Sequence, residues 1–206
     1  MKTFLLLFLA SILLSNSYPS FTNSELRTIK KNSIIAKNRI LDYQKNILEY
    51  KKLSQNKQLN RVNSYLNRLL PQYDDIIKKQ EDNWATPKEF LTVGYGDCED
   101  YVIIKYYSLI KLGFDEKKLY ITLVKEKFKG GNHMVLTYFK TKNAPPLVLD
   151  NLSFKILDLK IREDLEAQLF INSSGVYKLT KDLKLQKMAH KYKEFEELKT
   201  KIKNNH

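Results

Sequence analysis

The stretch GYGDCEDYVIIKYYSLIKLG, Gly94 to Gly113, holds the only cysteine of a 206-residue chain. Cys98 is flanked by acid: Asp97 precedes it, and Glu99 and Asp100 follow. Two glycines mark a turn, after which Cys98, Val102, Tyr106 and Leu109 (or Ile110) recur at three- and four-residue steps, the period of a helix. Asp97 suits the N-cap, with Asp100 three residues on, and Gly113 suits the position just past the helix end. The thiol is therefore expected on the first helical turn, in phase with the buried stripe. The helix dipole and unpaired N–H groups there favour a thiolate, whereas three adjacent carboxylates oppose it.

Beyond Gly113 the pattern changes to strands: LYITLVKEKF, HMVLTYFK and PLVLDNL. KGGN joins the first two as a hairpin, and TKNAPP joins the second to the third. If His133 begins one strand and Asp150 ends its antiparallel return, both lie at the same end of the pair. Directly opposed residues there have Cβ atoms about 4.5–5.5 Å apart; the paired prolines leave the register open by a residue or two. The tail, 181–206, reads as an amphipathic helix with the stripe Met188, Tyr192, Phe195, Leu198 and Ile202.

Upstream, residues 24 to about 80 read as helices rich in Lys, Asn and Gln. Leu59, Val62, Leu66, Leu69 and Leu70 form one stripe, and Pro71 marks a break. The chain opens MKTFLLLFLASILLSNSYPS: Lys2, an apolar run from Phe4 to Leu14, then small polar residues. That order is a secretory signal, expected over 1–17, with 18–180 as the folded domain. An uncleaved anchor is the rival, though the run is short for a membrane span. Loss of 1–17 removes Lys2 and takes the net charge from +13 to +12. Export and the even spread of lysines argue against nucleic acid and favour an acidic protein partner or a polyanionic envelope.

An exported chain meets an oxidising compartment, where one thiol cannot close an internal bridge. Cys98 is thus a buried inert thiol, half of an intermolecular disulfide or a nucleophile. Nucleophilic chemistry needs a base and an orienter for it. Of three histidines, His133 is best placed as base, with Asp150 on the adjacent strand to fix its tautomer. Each residue alone also has an ordinary structural role, as a small apolar filler, a satisfied polar group or a turn former.

The segments GDCEDYVIIKYYSLIKLG, HMVL and LDNL, with NWATPKEFL upstream and IREDLEAQLFINSSGVYKL downstream, resemble the bacterial transglutaminase-like cysteine proteases of the LapG type. The resemblance spans roughly Leu59 to Leu179. It implies an α+β fold with a papain-like, transglutaminase-like core, the nucleophile helix packed on an antiparallel sheet; the N-terminal helical layer and the C-terminal helix are read from the sequence beside it. It also implies Cys98 as nucleophile, His133 as base and Asp150 as orienter of a cysteine endopeptidase. Such proteases are periplasmic, depend on Ca²⁺ and cut large surface adhesins near their N-terminal region, releasing them during biofilm dispersal. An inner-membrane cyclic di-GMP receptor sequesters them. Asp97, Glu99 and Asp100 are hard oxygen donors suited to Ca²⁺, although without the resemblance capping and dipole compensation at a helix start would be the favoured reading. Asn83 departs from the family's usual aromatic residue before Trp84, and Trp84 itself is read as core. Two other functions fit the same residues: an acyltransferase or amidase acting on cell-wall or protein amides, and a non-catalytic periplasmic binding module.

Overall fold

The computed structural model describes residues 18–71, 83–128, 130–141, 144–180, 182 and 184–204. The expected signal segment, 1–17, and the end of the expected N-terminal helical layer lie outside them. Three helices come first: α1 (Asn23–Asn32), α2 (Ile34–Tyr50) and α3 (Gln55–Leu66). Thr22 and Glu25 start α1 reciprocally, each side chain accepting the other's backbone N–H. Ser33 both ends α1 and caps α2, its hydroxyl accepting the Ala36 N–H at 3.1 Å. Helix α3 stops at Leu66, earlier than the expected stripe. Leu70–Pro71 instead forms strand β1, paired in parallel with β2 (Tyr95–Gly96).

Between them runs the short helix α4 (Pro87–Val93), started by a Thr86–Glu89 capping box with Pro87 at its first turn. Helix α5 (Cys98–Lys111) follows, and is the central one. Its end is a Schellman motif: Gly113 takes φ +92°, the Phe114 N–H reaches the Leu109 carbonyl and the Gly113 N–H the Ile110 carbonyl. Tyr101, Val102, Ile103, Ile104, Tyr106 and Leu109 are all buried, so α5 is apolar nearly all round and lies inside the domain.

A seven-stranded antiparallel sheet covers it, in the order β6-β5-β4-β3-β7-β8-β9. The strands are β3 (Leu119–Glu126), β4 (Asn132–Tyr138), β5 (Leu147–Leu149), β6 (Leu157–Asp158), β7 (Leu165–Asn172), β8 (Gly175–Leu179) and β9 (Leu185–Lys187). Helix α5 packs on β3 and β4 from one side. Leu119, Ile121, Leu136 and Leu149 face it, while Val124, Val135 and Val148 alternate to the opposite face. The N-terminal helices close the far side of α5, joined to it by the buried Tyr43 Oη···Ser108 Oγ contact of 2.8 Å.

The tail corrects the sequence expectation. Leu185–Lys187 is an edge strand, and the helix α6 spans only Lys193–Asn204. The edge of β8 offers unpaired backbone groups, and β9 satisfies them; the Met188 N–H also donates to the Val176 carbonyl at 2.8 Å. Phe195, Leu198 and Ile202 are the buried stripe of α6. Met188 and Tyr192 reach the same core from non-helical backbone, and Tyr192 stacks on the buried Trp84 at 5.6 Å between ring centroids. Among the described residues no helix is long and apolar enough to cross a membrane.

Candidate active site

The turn before Cys98 is built from two glycines with different tasks. Gly94 ends α4 at φ +90°, and the Arg39 guanidinium lies against it, donating to the Leu91 and Thr92 carbonyls at 2.9 Å each. Gly96 admits Asp100, since a Cβ there would stand 2.5 Å from Asp100 Oδ2. Asp100 fills that space and accepts the Ala85 N–H at 2.8 Å and the Asp97 N–H, so it reaches back to the helix start. Asp97 occupies the N-cap position in extended backbone, but its side chain makes no capping hydrogen bond. Asp100 thus supplies only the reach-back half of the expected cap, and Asp97 turns toward its acidic neighbours.

Cys98 is the first residue of α5 and is partly buried. Its Sγ–H donates to Glu99 Oε2 at 3.3 Å, and the sulfur takes a hydrogen bond from the Met134 N–H. The thiol therefore touches the strand residue next to His133. Burial, and then the Glu99 charge, push its pKa far above that of a free thiol, with only the Met134 N–H acting against them.

His133 opens β4, and Asp150 follows β5 immediately. His133 Nε2 lies 2.9 Å from Asp150 Oδ1, and Asp150 is 1% exposed. Burial works against the Asp150 charge, but hydrogen bonds from His133, the Leu152 N–H (3.0 Å) and Arg162 outweigh it and hold the carboxyl well below the usual range. An ionised carboxylate only accepts, so His133 Nε2 carries the hydrogen and Nδ1 is left as the acceptor.

Three further features were not assigned from the sequence. Arg162 Nη2 donates to Asp150 Oδ2 at 2.8 Å and to Asp164 Oδ2 at 2.6 Å. Asn63 on α3 and Asn67, just past its end, strap down the loop after Asp150. Asn67 Nδ2 donates to the Asp150 carbonyl at 2.7 Å and Asn63 Nδ2 to the Ser153 carbonyl at 2.9 Å. Lys105, seven residues beyond Cys98 on the same helix, is wholly buried and its Nζ makes no hydrogen bond. Burial brings its pKa down to about 7, partly offset by the Asp150 charge. Arg162 stands in the downstream segment IREDLEAQ, but nothing in its spacing ties it to Asp150; Asn63 and Lys105, on helix faces, and Asn67, at a helix end, read as ordinary polar or buried positions.

The acidic residues interact closely. Burial, then the charge of Asp97, raise Glu99 to about 8 and Asp100 to about 7. Carboxyls that hold one another protonated are hard oxygen donors lacking a countercharge, so their chemistry fits a divalent cation. As they stand, no three His, Cys, Asp or Glu side chains among the described residues form a completed metal site.

A thiol at a helix start, with an imidazole and a carboxylate on neighbouring antiparallel strands, is the layout of papain-like thiol hydrolases. The chain belongs to the family of bacterial transglutaminase-like cysteine proteinases, which it matches over residues 39–163. Its fold is similar to that of Legionella pneumophila LapG in the calcium-bound form: TM-score 0.75, 29% identity, over 86% of this chain and 98% of that one. The EGTA-treated form of the same Legionella protein aligns with TM-score 0.76 and 29% identity over 86% and 95% of the two chains. A third LapG structure gives TM-score 0.74 and 30% identity, over 86% and 94%. Comparison with curated proteins found no match.

Proposed function

We propose that the protein is a periplasmic, Ca²⁺-dependent cysteine endopeptidase that cuts a large surface adhesin near its N-terminal region, with Cys98, His133 and Asp150 as its catalytic set. The observation that carries this reading is the 2.9 Å His133–Asp150 contact beside a sole cysteine whose sulfur bonds the Met134 N–H. His133, held as the Nε2–H tautomer, takes the Cys98 proton at Nδ1. The sulfur attacks a peptide carbonyl, and the His133 proton passes to the leaving amine. Water, deprotonated by the same nitrogen, then attacks the acyl-enzyme and releases the thiol. The Cys98 N–H at the helix start is a donor for the oxyanion.

Asp97, Glu99 and Asp100 would hold the cation, which supplies positive charge beside the thiol. Glu99, drawn to that charge, would release the Cys98 hydrogen to His133. The calcium-bound and EGTA-treated forms of the Legionella relative support this reading. So do the raised carboxyls. Release of the adhesin would promote biofilm dispersal, and an inner-membrane cyclic di-GMP receptor would sequester the enzyme.

The test incubates the purified chain with a fragment carrying the N-terminal region of a large adhesin, with calcium or with chelator. Cleavage by the wild type in calcium is expected, and none by Cys98→Ala. Cutting that persists in Cys98→Ala would sink the mechanism, and cutting indifferent to chelator would remove the calcium requirement.

A further inference from the structure

Arg162 stands behind Asp150 as His133 stands in front of it. Each Asp150 oxygen has its own partners: Oδ1 faces His133 Nε2 and the Leu152 N–H, whereas Oδ2 accepts Arg162 Nη2. The guanidinium is itself anchored, with Nε donating to Asp164 Oδ1 at 2.8 Å and Nη2 to Asp164 Oδ2 at 2.6 Å. Asp164 in turn accepts the Lys127 N–H on its carbonyl at 2.9 Å, which ties it to the hairpin leading to His133. The chain of contacts therefore closes on itself, from β4 through Asp150, Arg162 and Asp164 back to the hairpin before β4.

We propose that Arg162, anchored by Asp164, is a positioning residue of the catalytic site, fixing the Asp150 carboxylate so that His133 stays the Nε2–H tautomer with Nδ1 toward the thiol. This rests on the reading of Cys98, His133 and Asp150 as the catalytic set. A fork committed wholly to Asp150 would occupy both its oxygens and compete with the imidazole. Here Asp164 takes the fork and Asp150 receives a single bond, so Oδ1 stays open to His133. The charges agree with that division. Asp150, Asp164 and Arg162 together carry one net negative charge, which suits an imidazolium forming at His133. Among the described residues, Lys105 of α5 also feels the Asp150 charge, and its Nζ makes no hydrogen bond.

The experiment labels the histidines with ¹⁵N in the full chain and reads the His133 tautomer by long-range ¹H–¹⁵N correlation. Only three histidines need assignment. In parallel, Cys98, the sole thiol, is alkylated with iodoacetamide at one fixed pH. The wild type is expected to show the Nε2–H pattern. Arg162→Gln is expected to show mixed tautomers and alkylation slower by about ten- to a hundredfold, as for small misplacements of a reacting group. Arg162→Lys should restore part of both. A wild-type tautomer and rate in a folded Arg162→Gln would overturn the proposal alone. Should Arg162→Gln not fold, Asp164→Asn and Arg162→Lys are read the same way, and wild-type behaviour in both overturns it. A wild-type protein with His133 protonated at Nδ1 instead would overturn the underlying reading of His133 and Asp150, and the proposal with it.

Discussion

His133 and Asp150 meet diagonally across β4 and β5, not face to face. The pairing Leu136↔Leu149, continued by one residue, sets Asp150 opposite Val135, two positions along the strand from His133. Asp150 lies one residue past the paired segment of β5, and Nε2 still reaches Oδ1 at 2.9 Å. Histidine has the length to span that diagonal.

Asp150→Asn keeps the size of the side chain but not its charge, so it can present an amide N–H₂ where the imidazole N–H needs an acceptor. We expect kcat to fall by about 10²- to 10⁴-fold with KM little changed. Asp150→Ala should also lower the melting temperature, because Arg162 loses a buried partner. Steady-state cleavage and thermal unfolding of the two variants check this. An Asn variant with wild-type kcat would remove Asp150 from the mechanism.

The Cys98–Glu99 contact yields a second expectation. In chelator above about pH 8, where Glu99 is ionised, it both accepts the thiol hydrogen and places negative charge beside it. Glu99→Gln removes that charge, so at that pH iodoacetamide should label Cys98 several-fold faster in chelator than it labels the wild type. Calcium should speed labelling of the wild type and affect Glu99→Gln less. Intact-mass time courses separate the cases, and equal rates for both proteins in chelator would contradict the assigned role of Glu99.

How far the sequence reached depends on how local each signal was. Cys98 at a helix start followed from one stretch, because Gly94, Gly96 and the three- and four-residue steps all lie within twenty residues. The hairpin of β3 and β4 was equally local, and the His133–Asp150 pairing needed only one further strand. Arg162 and Asn67 are different. Their partners are 12 and 83 residues away, joined by contacts that no periodicity encodes. The tail shows the opposite failure. Met188 and Tyr192 have helical spacing relative to Phe195, yet the backbone there serves the β8 edge before α6 begins. Apolar spacing identified what is buried there, but not which element carries it.

Acid stability in chelator provides a third expectation. Glu99 and Asp100 are raised to about 8 and about 7, whereas an unfolded chain has these groups near 4. The folded protein thus holds protons that the unfolded chain releases, and stability falls as pH rises from about 5 to 7. Asp150, which is lowered, has the opposite sign, but its contribution is complete above about pH 5. Melting temperature in chelator should therefore decline across that window. Asp97→Asn should flatten the decline by removing the charge common to both shifts, and calcium should flatten it by favouring the ionised forms. The same slope in wild type and Asp97→Asn would show that the carboxyls are not coupled.

Lys105 gives the last expectation, and it concerns stability alone. The side chain lies wholly within α5's buried face, its Nζ makes no hydrogen bond, and burial lowers its pKa to about 7. The ammonium is thus poorly compensated in the folded state, with the distant charge of Asp150 as its favourable partner. Lys105→Met keeps the length and removes the polar end, and should stabilise the protein by on the order of 1–3 kcal/mol. The gain should be largest below about pH 7, where the folded wild type must hold the buried ammonium. Between about 7 and 10.4 the unfolded lysine keeps a proton that the folded state has released, so wild-type stability rises with pH and the gain shrinks. Above that range both states are neutral and the gain levels off at its smallest. Chemical denaturation at pH 6, 8 and 9 measures the difference directly. A Met variant less stable at every pH would mean that the amine is satisfied in solution and that Asp150 draws support from it.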